Sequence, residues 1–358
     1  MPLICENTVV AVTGLDAGAN PHPGAEVALA LRADPDFKGR IVGLVYDTMV
    51  TGGWMDDLFD EIHLAPWPGD DEAMWLRRLL HLRRNAGIDV ILPCLDSDVP
   101  TLARLAPRLR AEGLHALMPS EKAVKSRFKW NLSELARRVG VSTPRTAVLY
   151  DADQIHPLAG WRFPVFIKGA LADCRKAHDR EEAAYLFRAM ARRWGYPVLI
   201  QQPLAGTEYL MTGVCGRPGV PHGAFVVKKV RTTDLGKAVA GVTVDHPHVM
   251  DLGRRLLEEL EWVGPFEVEF LEDAGREDFH LIEINGRFPA WISFAADLGL
   301  PIVTDAVRLA LGGEVPPRLP PPAGLHFSRT FRSVRGRVLD SPALRAAARV
   351  EAAENRTP

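Results

Sequence analysis

Along the first third of the chain, short apolar runs that end in glycine or a polar turn alternate with longer stretches of helical spacing. "TVVAVTG" (Thr8 to Gly14) is a β-branched run closed by glycine, the form of a strand buried on both faces. A Gly-rich turn and a helix over Ala25 to Leu31 follow. "GRIVGLVYD" (Gly39 to Asp47), "EIHLAP" and "DVILPCLDSD" (Asp89 to Asp98) supply further strands, with helices at "EAMWLRRLLHLRRNAG" and "VPTLARLAPRLRAEG". Strands alternating with helices predict a parallel, doubly wound sheet of α/β class. Such sheets hold ligands at the carboxyl ends of their strands, where Gly14, Gly18 and Gly24 fall. Their spacing is not GxGxxG and no acidic ribose ligand follows, so they read as turn glycines.

The pattern changes near Pro119. "EKAVKSRFKWNLSELARRVG" predicts one helix ending at Gly140. "TPRTAVLY" and "FPVFIKGA" read as strands, "REEAAYLFRAMARRWG" as a helix, and "YPVLIQQPLAGTEYLMTGVCG" as strand, turn and strand. "GAFVVKKVRTT" is another strand, "HVMDLGRRLLEELEWVG" a helix, and "FEVEFLEDAGREDFHLIEIN" two strands joined by a polar turn. Strands here pair with their neighbours in sequence, which predicts an α+β unit. "LGGEVPPRLPPPAG" resists regular structure and closes that unit, and an Ala/Arg/Glu helix is expected in the tail. The boundaries expected are a first domain over 1–118, a second over 119–318 and a C-terminal extension over 319–358.

Composition narrows the function without naming it. A net charge of -2 over 358 residues, with acids and bases intermixed, argues against nucleic acid or an anionic membrane as partner. No apolar run approaches the roughly 20 residues that span a bilayer. Cys5, Cys94, Cys174 and Cys215 lie far apart with no CxxC pair, so they read as reduced thiols of a cytoplasmic protein.

The candidate chemistry sits in the last strand pair. Alternation in "FEVEFL" puts Glu267 and Glu269 on one face. In "HLIEIN", Glu283 shares a face with Leu281 and Asn285 on the same rule. If the turn makes the strands antiparallel neighbours, Glu269 and Glu283 approach, and two close carboxylates need a cation or a proton. Carboxylate and amide oxygens with no Cys or His nearby are the ligand set of Mg²⁺; the alternative is a solvated pair of edge strands. Arg287, just beyond, suits a phosphate or acyl-phosphate. Lys168 ends an apolar strand, where it meets an anion or snorkels to solvent. Alternation separates Lys228 from Lys229, and one of these cations is a candidate for a substrate carboxylate. Trp291 and Phe294 wall a pocket or pack a core. His222, His246 and His248 sit in Pro-rich surroundings that argue against a metal cluster.

Taken in order, Lys129, Lys168, "QQPLAGTE", then Glu269, Glu283, Asn285 and Arg287 resemble the ATP-grasp superfamily. "VILPCLDSDVP" and "LIEINGR" are similar to its carbamoyl-phosphate-synthetase-like, carboxylate–amine ligase branch. The resemblance covers the whole chain. It implies a Rossmann-like pre-ATP-grasp domain followed by a two-lobed ATP-grasp domain, with a small lobe over about 145–200 and a large lobe over about 201–318. It implies that Lys129 and Lys168 contact the phosphates of ATP. Gln201, Gln202 and Leu204 would form the hinge against adenine, with the Gln202 carbonyl and Leu204 amide reading its edge, and Glu208 would bind the ribose. Glu269, Glu283 and Asn285 would hold Mg²⁺, or Mn²⁺ in its stead, and Arg287 and Lys168 would act on the transferred phosphoryl group. A homodimer is a further implication.

One segment departs from the superfamily. The loop after the strand lysine, "KGALADCRKAHDREEA", has one Gly where a Gly/Ser-rich cover is usual, and carries Asp173, Arg175 and Lys176. The expectation is an ATP-dependent ligase that joins a small carboxylate, an amino acid or short peptide, to an amine through an acyl-phosphate. The alternatives are a bicarbonate-dependent carboxyphosphate or carbamoyl-type enzyme and a non-catalytic nucleotide-binding regulatory protein.

Overall fold

The computed structural model describes residues 7–330, apart from 19, 56, 159, 171–172, 234–235 and 275–277, together with residue 333. The helix expected in the tail lies outside the described residues. β1 (Val9–Val12), α1 (Gly24–Ala33), β2 (Arg40–Val45), β3 (Glu61–Leu64), α2 (Glu72–Asn85), β4 (Val90–Leu92) and α3 (Asp98–Ala111) build the first unit. Its sheet has the order β3-β2-β1-β4 with every pair parallel. β1 is apolar at each position because both faces are covered: Val10 and Val12 pack with α1, Val9 and Ala11 with α2 and α3. Strand order reverses between β1 and β4, which opens a crevice at their carboxyl ends. Gly14 turns the chain there with φ 62°, and its carbonyl accepts the Gly24 N–H at 2.9 Å.

The single helix expected over 121–140 is two: α4 (Glu121–Ser126) and α5 (Leu132–Val139). The turn between them is closed by the Asn131 N–H donating to the Phe128 carbonyl at 2.7 Å and the Asn131 amide donating to the Lys125 carbonyl at 2.8 Å. An asparagine side chain that competes for backbone partners breaks a helix in this way. Lys129 therefore lies in a turn and not on a helix face. Gly140 ends α5 in the left-handed region, φ 68°, as expected of a helix C-terminus.

β5 (Thr146–Leu149), β6 (Val165–Lys168), β7 (Cys174–Ala177), α6 (Arg180–Trp194) and β8 (Val198–Gln201) form a small antiparallel sheet, β5-β8-β6-β7, with α6 on its apolar face. β7 falls in the atypical loop, which the sequence leaves without a strand. It is an edge strand whose Arg175 and Lys176 are exposed, so no apolar alternation marks it.

β9 (Gly206–Arg217), β10 (Val220–Thr232), β11 (Ala238–Val244), α7 (Pro247–Glu259), β12 (Gly264–Asp273), β13 (Phe279–Asn285), α8 (Ser293–Asp297), α9 (Ile302–Ala310) and β14 (His326–Ser328) form the third unit. Its six-stranded antiparallel sheet has the order β13-β12-β9-β10-β11-β14. α5 and α7 cover one face. The other face shares a core with α8, α9 and α1, so the first unit and this sheet are packed into one another. β14 pairs with β11, which carries the sheet past residue 318. Trp291 stacks on Phe327 at 5.2 Å and Phe294 lies 5.3 Å from the same ring, so both are core residues and not pocket walls. His222 pairs with buried Asp305 at 2.9 Å, and His246 caps α7, accepting from the Val249 N–H at 3.3 Å.

Candidate active site

β12 and β13 are antiparallel, and their register sets Glu269 directly opposite Glu283 and Glu267 opposite Asn285. A β-bulge lies between these pairs and Phe270↔Leu281, with Ile282 as the extra residue. Leu281 therefore joins Phe270, Val268 and Ile284 in the core, while Glu283 points to the other face with Glu269. This corrects the shared face expected for Glu283 and Leu281: strict alternation fails at the bulge. Asn285 keeps its place beside Glu267, to which its amide donates at 3.1 Å.

Two lysines reach this face from separate elements. Lys129, from the α4–α5 turn, pairs with Glu283 at 2.7 Å. Lys168, at the end of β6, lines the same cleft with Thr146, Gln201, Leu281 and Ile282. The cleft runs between the small sheet and β13. Burial lowers Lys168 below the ordinary lysine value. Burial also penalises Lys129, but Glu283 and Asp96 more than offset it and lift Lys129 above that value. Glu283 shows the complement: burial opposes its charge, and Lys129 still holds it below the usual glutamate range.

β8 ends at Gln201, whose amide donates to Thr146 Oγ1 at 2.9 Å. Gln202 is tied by its own N–H to the Arg145 carbonyl at 2.9 Å and by its side chain to the Arg162 carbonyl at 2.8 Å. Among the described residues, the Gln202 carbonyl and the Leu204 amide have no hydrogen-bond partner. A half-buried donor and acceptor two residues apart, on a segment held firm by its neighbours, can read the edge of a flat heterocycle. Glu208 follows at the start of β9.

The acidic face carries a third lysine that the sequence leaves undecided against Lys228. Lys229 donates to Glu208 at 2.6 Å, to Glu269 at 2.9 Å and to the Gly236 carbonyl at 3.1 Å, and its side chain is 5% exposed. Lys228 is exposed on the opposite side of β10. Glu269 stays raised above the usual glutamate range by burial and by the neighbouring Glu267 and Glu283, even with Lys229 upon it. Facing carboxylates beside an amide oxygen fit a hard cation. Among the described residues no three His, Cys, Asp or Glu side chains are grouped to hold a metal on their own. Glu269, Glu283 and the Asn285 side-chain oxygen are the oxygen donors that would hold such a cation.

Arg287 is buried and held on both sides: Nε donates to Asp96 at 2.9 Å and Nη1 to Glu267 at 3.3 Å. Asp96 comes from the first unit, just beyond β4, and also pairs with Arg127 at 3.1 Å. Burial works against its charge, but Arg287 and Arg127 hold the Asp96 carboxyl at about 2. Gly286 makes this approach possible, because a Cβ there would meet Val99 of α3 at 3.0 Å. Asp96 is a site residue the sequence reading left unnamed; the "LDSD" turn at a strand's carboxyl end was its only signal. Lys237, at the base of β11, enters the same crevice and donates to the Pro21 carbonyl at 2.9 Å.

No family model matches the chain, and no curated protein does. Solved structures do. An L-amino acid ligase from Bacillus licheniformis superposes with a TM-score of 0.65 at 13% identity, over 85% of this chain and 74% of that one. The biotin carboxylase domain of 2-oxoglutarate carboxylase from Hydrogenobacter thermophilus, a dimer in complex with MgADP, ADP and bicarbonate, gives 0.64 at 16% identity, over 86% and 70%. N5-carboxyaminoimidazole ribonucleotide synthetase from Thermus thermophilus gives 0.62 at 15%, over 88% and 81%. At these identities the likeness is one of fold. The chain has the fold that these three enzymes share.

Proposed function

We propose that the chain is an ATP-dependent carboxylate–amine ligase that works through an acyl-phosphate on a small substrate such as an amino acid or short peptide. The observation that carries this is the Glu269–Glu283 pair, set opposite one another on the strands that carry Asn285 and lead to Arg287, with Lys129 paired to Glu283 at 2.7 Å and the charge of Lys168 acting on the same carboxylate. In this reading residues 1–118 are a Rossmann-like pre-ATP-grasp domain, and 119–318 an ATP-grasp domain with lobes over about 145–200 and 201–318, to whose large sheet β14 (His326–Ser328) adds a further strand. The same reading puts the protein in the cytoplasm and makes it a homodimer, as the resemblance implies. Among the described residues no helix is long and apolar enough to cross a membrane.

Each residue has a physical task. The Gln202 carbonyl and Leu204 amide hold adenine, next to Gln201, and Glu208 accepts from the ribose hydroxyls. Lys129 and Lys168 bind phosphate oxygens. Glu269, Glu283 and Asn285 would hold Mg²⁺, whose chemistry is to neutralise phosphate charge in transfer. A substrate carboxylate oxygen attacks the γ-phosphorus, the bond to the β–γ bridging oxygen breaks, and ADP departs. Arg287, fixed by Asp96 and Glu267, meets the negative charge on the phosphoryl group without having to reorganise. The amine nitrogen then attacks the acyl carbon, releasing phosphate and giving up a proton. Lys176, exposed on β7 and on the same face of the small sheet as Lys168, is the cation available to cover the phosphates in place of a Gly-rich loop; Arg175 shares the face of Ile167 and pairs with Asp173 at 3.3 Å.

A second reading draws on the carboxylase domain that binds bicarbonate with MgADP: bicarbonate takes the place of the organic acid and gives carboxyphosphate. Phosphate release with MgATP, screened over candidate carboxylates with and without amines, tests both. Release that needs an acid and an amine together supports the ligase. Release with bicarbonate alone supports the second reading. AMP formation, or tight nucleotide binding with no release from any mixture, contradicts both.

A further inference from the structure

Lys229 stands between two acids of the candidate site, Glu208 and Glu269. Its ammonium has three N–H groups, and each has an acceptor: Glu208, Glu269 and the Gly236 carbonyl, at 2.6, 2.9 and 3.1 Å. A register shift in the β10–β11 ladder between Lys229 and Arg231 interrupts the strand there. Val230 and Arg231 are exposed beyond it while Lys229 turns in. The two acids it joins have separate tasks in the proposed function. Glu208 belongs to the ribose and Glu269 to the metal, and one lysine donates to both. Glu283 has its own partner in Lys129 at 2.7 Å.

A divalent cation that approached Glu269 without phosphate would meet this ammonium within a few Å. That repulsion opposes entry of the bare ion, while the ion would gain only part of a coordination shell from the protein. A cation that arrives with a triphosphate meets a different balance, because the phosphate oxygens complete its shell and offset the lysine charge. We infer that Lys229 is the built-in counter-ion that keeps bare divalent cations out of the cleft and admits the metal only as its nucleotide complex. It is a specificity-determining residue for what the acidic face accepts, acting through Glu208 and Glu269. The inference rests on the reading of Glu269 and Glu283 as metal ligands.

The test uses Mn²⁺ as the probe and follows the free-ion electron paramagnetic resonance signal during titration with protein. The wild-type chain should bind Mn²⁺ weakly alone and at least tenfold more tightly with a non-hydrolysable ATP analogue than that analogue binds it without protein. Lys229→Met should bind Mn²⁺ without nucleotide at least tenfold more tightly than wild type, and Glu269→Gln in that background should abolish the gain. Lys229→Gln, which keeps a hydrogen-bonding side chain, should show the same gain if the Met variant does not fold. Lys229→Arg, which keeps the charge, should behave as wild type. Unchanged affinity in both neutral variants, with nucleotide-dependent binding intact in wild type, overturns the counter-ion role alone. Wild-type protein that adds nothing to the analogue's own hold on Mn²⁺ overturns the metal reading and the counter-ion role with it.

Discussion

Single side chains in this molecule are placed by what they must neutralise. Lys129 is the sharpest case. By sequence it is one basic residue in a basic helical stretch, and nothing local separates it from Lys125. The Asn131 turn takes it off the helix and sets it against Glu283. Asp98, at the start of α3, is a second case of a charged group governed by its surroundings. It is fully buried, Thr13 donates to it at 2.5 Å, and burial pushes its carboxyl up to about 7. A carboxyl raised above its unfolded value of about 4 binds a proton in the folded state that it loses on unfolding. Its contribution to stability is therefore full below about pH 4 and lost as pH rises through 7. Asp98→Asn should remove that slope. Across pH 4 to 7 the wild-type chain should lose on the order of a few kcal/mol relative to the variant in urea denaturation. Parallel curves would show that Asp98 is not the group responsible.

Elements were legible in the sequence wherever burial imposes a period, and illegible where one residue breaks it. β1, β2, α2, α6 and α7 follow their apolar spacing. β7 does not, because its Arg175 and Lys176 face solvent at a sheet edge and leave no alternation to read. The most consequential break is the bulge at Ile282. Alternation counted from Leu281 gives Glu283 the core face, yet the extra residue turns it to the cleft. The pairing of Glu269 with Glu283 was nonetheless readable, because a short polar turn fixes two neighbouring strands in antiparallel register. Deleting Ile282 should restore regular alternation and drive either Glu283 or Leu281 to the wrong face. The expected cost is about 3 kcal/mol or more, since it buries an unpaired charge or exposes a core leucine. Chemical denaturation measures it, and a change of under about 1 kcal/mol would mean that the bulge does not set the register.

At the scale of the whole molecule, the site is assembled from parts far apart in sequence. Asp96 of the first unit grips Arg287 across 191 residues, and Lys229 bridges strands β9 and β12. Such contacts leave no periodic trace, so the sequence could offer the candidate residues and their order but not Asp96's hold on Arg287. The apolar core that runs from β1 and α1 through α8 and α9 to the large sheet keeps those parts in register. The small sheet has a core of its own around α6, which leaves the cleft wall carrying Lys168 independent of that shared core. The account depends on Glu269 and Glu283 acting together on a metal that bridges a nucleotide. Its most direct test is calorimetric binding of a non-hydrolysable ATP analogue, in Mg²⁺ and in EDTA, to the wild-type chain and to Glu269→Gln/Glu283→Gln. The wild type should bind at least tenfold more weakly in EDTA, and the double variant should bind equally weakly in both. Equal affinity of the two proteins in Mg²⁺ would contradict the account.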